Sequence, residues 1–515
     1  MGCTASAPAS TSFPHATSST RTMSITETER VMQGRIGIDK SERIPRSNRA
    51  SSSAPPQDRA EAPKLNECGQ LTAEEVVKRR SGSGKASEVV LGDVKDEERW
   101  IHASWAVMTQ RGYHPDQPHK PNQDDYHVTP TKFASGDGDA IFAVFDGHGT
   151  KGHDCSYFAK LKFPSLLATN IKKARAAKNA ARMKDNPQRA KEPGAFHPNQ
   201  WPYLMVEEYE RCCRDAALQC NKAMHQDNTV GDTMSGTTAI AVSFHAGNMT
   251  VTNLGDSRAV LGYRIDSDII QHCAAPQDEE KKEISDLFAR DDEDCLINSD
   301  GKKLSVGDIV AVALSQDQTP YRNDERERLK NAGARICTIG QMEGKEPMHE
   351  NWGQYELGVD INYEGDIPRV WCAEHNYPGT AFSRSLGDSV AEYIGVNADP
   401  EILTKKVTRG DEFLVIASDG IFEFLTNQDV IDICASSSDP AQACSRLLEA
   451  SYARWLEHET RTDDITCIVL FLKNTVPNDV EAMRKLICQK HQVILKNKMS
   501  REMSTTMLST SKSLE

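Results

Sequence analysis

Four short segments each close an apolar, strand-like run with a carboxylate or a tight acidic cluster. They are Asn122-Gln123-Asp124-Asp125, Phe145-Asp146-Gly147-His148-Gly149, Ser418-Asp419-Gly420 and Thr462-Asp463-Asp464-Ile465-Thr466. A carboxylate at the mouth of a strand is costly to hold near a core unless something neutralises it. Several brought together repel, so each resists ionising. A hard divalent cation answers both problems. The shared ligand atom is oxygen, and no Cys/His ligand spacing accompanies it, so magnesium or manganese is expected rather than zinc. The chemistry served by such a site is metal-dependent and directed at a phosphate.

The elements that must position these carboxylates are legible as an alternation of strands and helices. Ala140 to Phe145 reads as a buried strand. The runs 239–244 and 249–254 read as two strands around a turn at Ala246-Gly247-Asn248, and 258–263 as a third. Much later come 413–417 and 466–472. Hairpin-spaced strands favour antiparallel pairing. Helical periodicity fills 203–225, 325–332, 428–435 and 440–456. Trp105 to Met108 reads as the first strand, with order beginning near Trp100.

The chain has 515 residues, 26% charged and 38% apolar, with net charge −14. That length suits one large domain with extensions, or two domains. The acidity argues against nucleic acid as a general partner. Fourteen cysteines lie scattered without a CxxC pair and read as free thiols of a reducing compartment. No apolar run approaches the roughly 20 residues of a membrane-spanning helix. Residues 1–95 begin with a Ser/Thr/Pro/Ala-rich stretch almost devoid of aromatics, which is expected to be disordered. The domain is expected over 96–473, and 474–515 as a C-terminal helix and polar tail.

Eight motifs in order are similar to those of the metal-dependent serine/threonine protein phosphatases of type 2C. They are NQDDY, FAVFDGHGTKGH, SGTTAIAV, VTNLGDSRAVLG, LSQDQTPYRNDERERLKNAGARI, TAFSRSLGDSVAE, FLVIASDGIFEFL and TDDITCIVLFL. The resemblance implies an α+β fold, two packed antiparallel β-sheets flanked by helices, with metals in a cleft at one end. It implies hydrolysis of phosphoserine and phosphothreonine in protein substrates by a hydroxide bridging two Mg2+ or Mn2+ ions. The alternative is a catalytically weak scaffold on the same fold, whose mark would be loss of the metal carboxylates. A phosphodiesterase acting on nucleic acid lacks support from the charge balance.

Carried over by motif, Asp146 bridges two metals and Gly147 offers its carbonyl. Asp419, Asp463 and Asp124 complete the ligands, and His148 is the general acid. Asp464 stands where the family has Asn, and Gln123 where Glu is common. Asp125 is either a ligand or half of a solvated acidic pair. Asp256 has two readings, ligand of a third, weaker metal or a turn carboxylate capping Ser257 or pairing Arg258. Glu423 would partner Asp419. The family's phosphate-binding Arg has no counterpart at its usual slot near His119, which leaves Lys120 as the candidate, or as an ordinary solvated lysine.

Two insertions, near 171–200 and 264–310, are peculiar to this chain. The first carries eight Lys/Arg over 171–191 and reads as a solvated basic helix face, or as a surface for the active-site rim or a membrane. The second is net −7 and reads as an acidic loop. Residues 340–379 fall where the family has a mobile flap, with patches at 351–353 and 368–371 set to meet substrates. Finally, Met1-Gly2-Cys3-Thr4-Ala5-Ser6 fits N-myristoylation at Gly2 with palmitoylation at Cys3, which would place the enzyme on the cytoplasmic face of a membrane.

Overall fold

The computed structural model describes residues 71–483, apart from 72, 93–99, 136–137, 192–201, 268–303, 353–357, 359–360, 362–365, 475–476 and 480–482. The acylation motif, most of the acidic insertion, and the helix and tail expected over 480–515 lie outside the described residues, except for Met483.

The strands in chain order are β1 (Arg80–Gly82), β2 (Ser87–Gly92), β3 (Trp100–Gln110), β4 (Asp124–Thr129), β5 (Ala140–His148), β6 (Gly236–Thr237), β7 (Ala239–His245), β8 (Asn248–Leu254) and β9 (Arg258–Arg264). There follow β10 (Ile309–Ala313), β11 (Ala334–Cys337), β12 (Arg369–Cys372), β13 (Pro378–Thr380), β14 (Leu386–Gly387), β15 (Glu401–Lys406), β16 (Asp411–Ala417) and β17 (Ile465–Asn474). One seven-stranded sheet runs β1-β3-β17-β16-β9-β10, with β2 also paired to β3. The other runs β14-β6-β5-β7-β8-β15, with β4 paired to β5. All these pairings are antiparallel.

Period-2 alternation sorts each strand between two cores. On β5, Phe142 and Val144 face the layer between the sheets. Ile141, Ala143 and Phe145 face the helices Gly152–Asp185 and Val206–Gln226, where they meet Phe163, Leu167 and Cys213. On β16, Leu414 and Ile416 join the inter-sheet core, while Val415 and Ala417 pack on Leu447 and Leu448 of the helix Pro440–His458. The expected helix–sheet–sheet–helix order is the one observed. Strands buried on both faces explain the near-continuous apolar runs of the sequence.

Two boundaries differ from expectation. Trp105 belongs to the third strand, because β1 and β2 precede it and both pair with β3. The short β2 shows only Val89 and Leu91 buried around an exposed Val90, an apolar signal too brief to stand out in a polar stretch. Downstream, Met483 is buried in the inter-sheet core, and the Gly410 N–H donates to Asn478 Oδ1 at 2.9 Å, so the fold reaches past 473. Over 171–185 the basic insertion is helical as expected and continues the helix Gly152–Asp185; its Lys178 pairs with Glu208 at 2.5 Å and its Arg175 is buried 3.9 Å from Asp139.

Candidate active site

The four carboxylate motifs meet at one end of the two sheets. Asp124 opens β4 and lies directly opposite Asp146 on β5. Asp419 follows β16 and begins a one-turn helix, whose Gly420 carbonyl accepts from Ser451 Oγ at 2.5 Å and Trp455 Nε1 at 2.8 Å. Those two bonds anchor Asp419 to the helix Pro440–His458. Asp463 and Asp464 precede β17, which pairs with β16, so both sheets contribute to the cluster.

The glycines of these motifs are demanded by close approach. A Cβ on Gly147 would lie 2.3 Å from the Gly152 carbonyl oxygen and 2.6 Å from that of Gln123. One on Gly420 would lie 2.1 Å from the Asp464 carbonyl oxygen.

Electrostatics distinguish this cluster. Burial pushes the Asp146 carboxyl well up, and the surrounding Asp124, Asp419, Asp463 and Asp256 push it further. Burial and Asp464 do the same to Asp124. Asp419 is raised to about 6 by burial and Asp463, and it lies within hydrogen-bond reach of Asp146. Glu423 is raised to about 7 by burial and Asp419. Asp256 is raised by burial, Asp419 and Asp317. Ser418 Oγ donates to Asp124 Oδ2 at 2.8 Å, while Asp124 Oδ1 is buried without a hydrogen-bond partner.

Several open readings are resolved. Asp125 points away and pairs with Lys160 at 2.5 Å. Arg258 does not pair with Asp256; it forks onto Asp317 at 2.7 and 2.8 Å and stacks on Phe422 at 4.9 Å. Ser257 Oγ meets Thr238 Oγ1 at 2.7 Å, so it is not capped by Asp256 either. Asp464, in the position where Asn is usual, accepts the N–H of Gly112 at 2.7 Å and of Gln123 at 2.8 Å. Gln123 Nε2 donates to the Gly149 carbonyl at 2.7 Å, bracing the Asp-Gly-His turn.

Lys120 lies on the 112–120 loop, which a bridge between Tyr113 and Thr462 holds against the Asp463 segment. Its Nζ is 3.2 Å from His114 Nε2, and burial and Lys120 lower the His114 pKa, so His114 accepts there. His119 is exposed. His148 Nε2 is 2.6 Å from Asp388 Oδ2, and its ring lies 4.3 Å from that of Phe382.

Of the patches expected to meet substrate, Trp371 instead is 6% exposed and donates to the Cys337 carbonyl at 2.9 Å within the β11-β12-β13 sheet. Trp352 donates to Gln341 Oε1 at 2.9 Å beneath Arg326. Both tryptophans build the flap. Sequence reasoning missed Asp317 and Asp388, whose partners Arg258 and His148 lie 59 and 240 positions away, and His114, whose partner Lys120 is six positions on. The quoted LSQDQTP and SRSLGDS motifs were the available signal for the first two.

One buried and four half-buried carboxylates converge here with no lysine or arginine hydrogen-bonded to Asp124, Asp146, Asp256, Asp419 or Asp463 among the described residues. One oxygen is left unpartnered, and a glycine cradle admits backbone. Such a donor set suits a hard divalent cation, at the end of a double antiparallel sheet. The family model described as Protein phosphatase 2C matches residues 119–282 and 292–460. An Arabidopsis thaliana protein described as "Probable protein phosphatase 2C 35" is 36% identical over 370 residues, spanning 72% of this chain and 84% of the relative. Another, "Probable protein phosphatase 2C 72", is 27% identical over 337 residues, spanning 65% and 77%. The crystal structure of serine-threonine phosphatase 2C from Toxoplasma gondii aligns over 76% of this chain and 100% of its own, with 17% identity and a TM-score of 0.47.

The chain belongs to the protein phosphatase 2C family. It is a metal-dependent protein serine/threonine phosphatase.

Proposed function

We propose that Asp124, Asp146, the Gly147 carbonyl, Asp419 and Asp463 hold two divalent cations, magnesium or manganese, and that Asp256 with Glu423 offers a weaker third place. The observation that carries this is the neighbourhood of Asp146, a half-buried carboxylate facing four others beside the unpartnered Asp124 Oδ1. Divalent cations bound there would lower the pKa of water and polarise phosphoryl oxygens. The protein's own groups do the rest. Lys120 draws the substrate phosphate to the mouth of the site as a point charge. His148 supplies the proton that the departing serine or threonine oxygen needs. Asp464 and Gln123 keep the loops in register. Phosphate release from a phosphothreonine peptide, measured after chelation and again with manganese, tests the reading. Activity that survives chelation overturns it.

We propose separately, from the N-terminal residues alone, that the enzyme is attached to a membrane. Gly2, Cys3 and Ser6 match a dual-acylation pattern, and two lipid signals are what stable anchoring takes. Phosphorylated proteins at the cytoplasmic face of a membrane are then its substrates. Among the described residues no helix is long and apolar enough to cross a membrane, so acyl chains would supply the attachment.

A further inference from the structure

We infer that Asp388 is the positioning residue of the proton donor, fixing the tautomer and aim of His148; this rests on the reading of His148 as the general acid. Asp388 Oδ2 lies 2.6 Å from His148 Nε2 and accepts a second hydrogen bond from Ser385 Oγ, also at 2.6 Å. The Asp388 side chain is 3% exposed and that of His148 is 23% exposed, so the pair spans from core to cleft. The ring of Phe382, 4.3 Å from the imidazole, limits its rotation.

The backbone around Asp388 is built for this contact. Its φ is +51°, a left-handed value uncommon for a residue with a side chain. Such a conformation persists only where the surroundings over-determine it. Here they do. The N–H groups of Asp388, Ser389 and Val390 donate to the carbonyls of Ser235 at 2.9 Å, Asp232 at 3.0 Å and Thr233 at 3.2 Å. Gly236 pairs with His148 on one side and Gly387 on the other, which puts the three segments side by side. A Cβ on Gly236 would stand 2.2 Å from Asp388 Oδ2. The glycine leaves room for the carboxylate, and the strained turn delivers it.

A carboxylate bound to one imidazole nitrogen keeps the proton on that nitrogen and orients the ring. With Nε2–H held by Asp388, the proton to be transferred sits on Nδ1. As the water-derived oxygen bonds to phosphorus, the bond between phosphorus and the serine or threonine oxygen breaks. The electron pair released takes the proton from Nδ1, which leaves a neutral imidazole still bonded to Asp388.

The test uses full-length wild type, His148→Gln, Asp388→Asn, the double variant and Ser385→Ala, with manganese. Substrates are a phosphothreonine peptide and p-nitrophenyl phosphate, whose leaving group hardly needs a proton. Asp388→Asn is expected to slow the peptide by about 10²-fold, the scale of a misaimed catalytic group, and the aryl ester far less. The double variant should be no slower than His148→Gln, since residues acting as a unit are not additive. Ser385→Ala should shift both substrates in the same sense by less. Nitrogen NMR of the labelled histidine should show Nε2 protonated in wild type and the tautomer changed in Asp388→Asn. If His148→Gln discriminates between substrates and Asp388→Asn does not, the positioning role is overturned while the acid role stands. If His148→Gln slows both substrates equally, the acid role falls and takes this inference with it.

Discussion

Two acidic clusters of this molecule have opposite chemistry. Around Glu325, Asp324 and Glu401 bring carboxylate oxygens within 4.8 Å of one another, a spacing that would suit a cation. Arginines already occupy that role. Arg384 and Arg328 each bond Glu325 at 2.6 Å, and Arg322 bonds Asp324 at 2.6 Å and Glu401 at 2.7 Å. Glu325 is accordingly held down at about 2, against burial, by bonds from Arg384 and Arg328. Around Asp146, among the described residues, no lysine or arginine is hydrogen-bonded to Asp124, Asp146, Asp256, Asp419 or Asp463, and Asp419 and Glu423 rise to about 6 and about 7. Proximity of carboxylates is thus a poor guide to a metal site. The lack of a basic side chain bonded to the carboxylates is the better one, since Arg258, the cation that acts on Asp419 and Glu423, spends its hydrogen bonds on Asp317; that separates a structural clamp from a cluster that waits for an ion.

The largest consequence is catalytic. Asp146→Ala should abolish manganese-dependent phosphate release by several orders of magnitude, because water activation depends on the cluster. The metal-free protein should melt no lower than wild type, since a repelled carboxylate has been removed. A large drop in the metal-free melting temperature would break the contrast. At the other cluster, Glu325→Ala should cost about 1.5–3 kcal/mol of stability, because it leaves the half-buried Arg384 and Arg328 without their shared carboxylate. Urea denaturation reads it, and no added manganese should restore the loss.

Acidity separates the clusters with opposite sign. Glu325 has a folded pKa below its ordinary 4.5, so its stabilisation is present above that value and is lost as pH falls toward about 2. Asp419 and Glu423 have folded values above their ordinary 3.8 and 4.5. The folded protein then binds more protons than the unfolded chain, and metal-free stability declines as pH rises from about 4 to about 7. Melting curves with and without manganese should therefore diverge as pH increases across that window. Curves that stay parallel would show that the site carboxylates do not titrate as described. The smallest effect on chemistry belongs to Gly2→Ala. It should leave peptide turnover unchanged yet move the protein from the membrane to the soluble fraction in cells able to acylate it. A wild-type protein that is already fully soluble there would exclude the anchor.

The metal carboxylates were legible because each sits where an apolar run stops, and that break is local. The strands were legible for the same reason: Phe142 and Val144 face one core while Ile141 and Ala143 face another, and a buried run marks both. What stayed hidden depends on distant partners. Asp388 meets a histidine 240 positions away, and Arg258 chooses Asp317 over its neighbour Asp256. Trp371 looked like a surface aromatic because nothing nearby shows that its indole N–H is satisfied by Cys337. β2 was missed because six residues hold too little apolar signal to register against a polar background.

The register that sets Asp124 across from Asp146 has a mechanical consequence. Among the described residues β4 pairs only with β5, and its first rung joins two like-charged residues, an arrangement that weakens a cross-strand pair. The rung would act as a clasp that an ion closes. Loss of the ion should first appear as faster amide exchange along 124–129, an opening of one strand, well before the two sheets come apart.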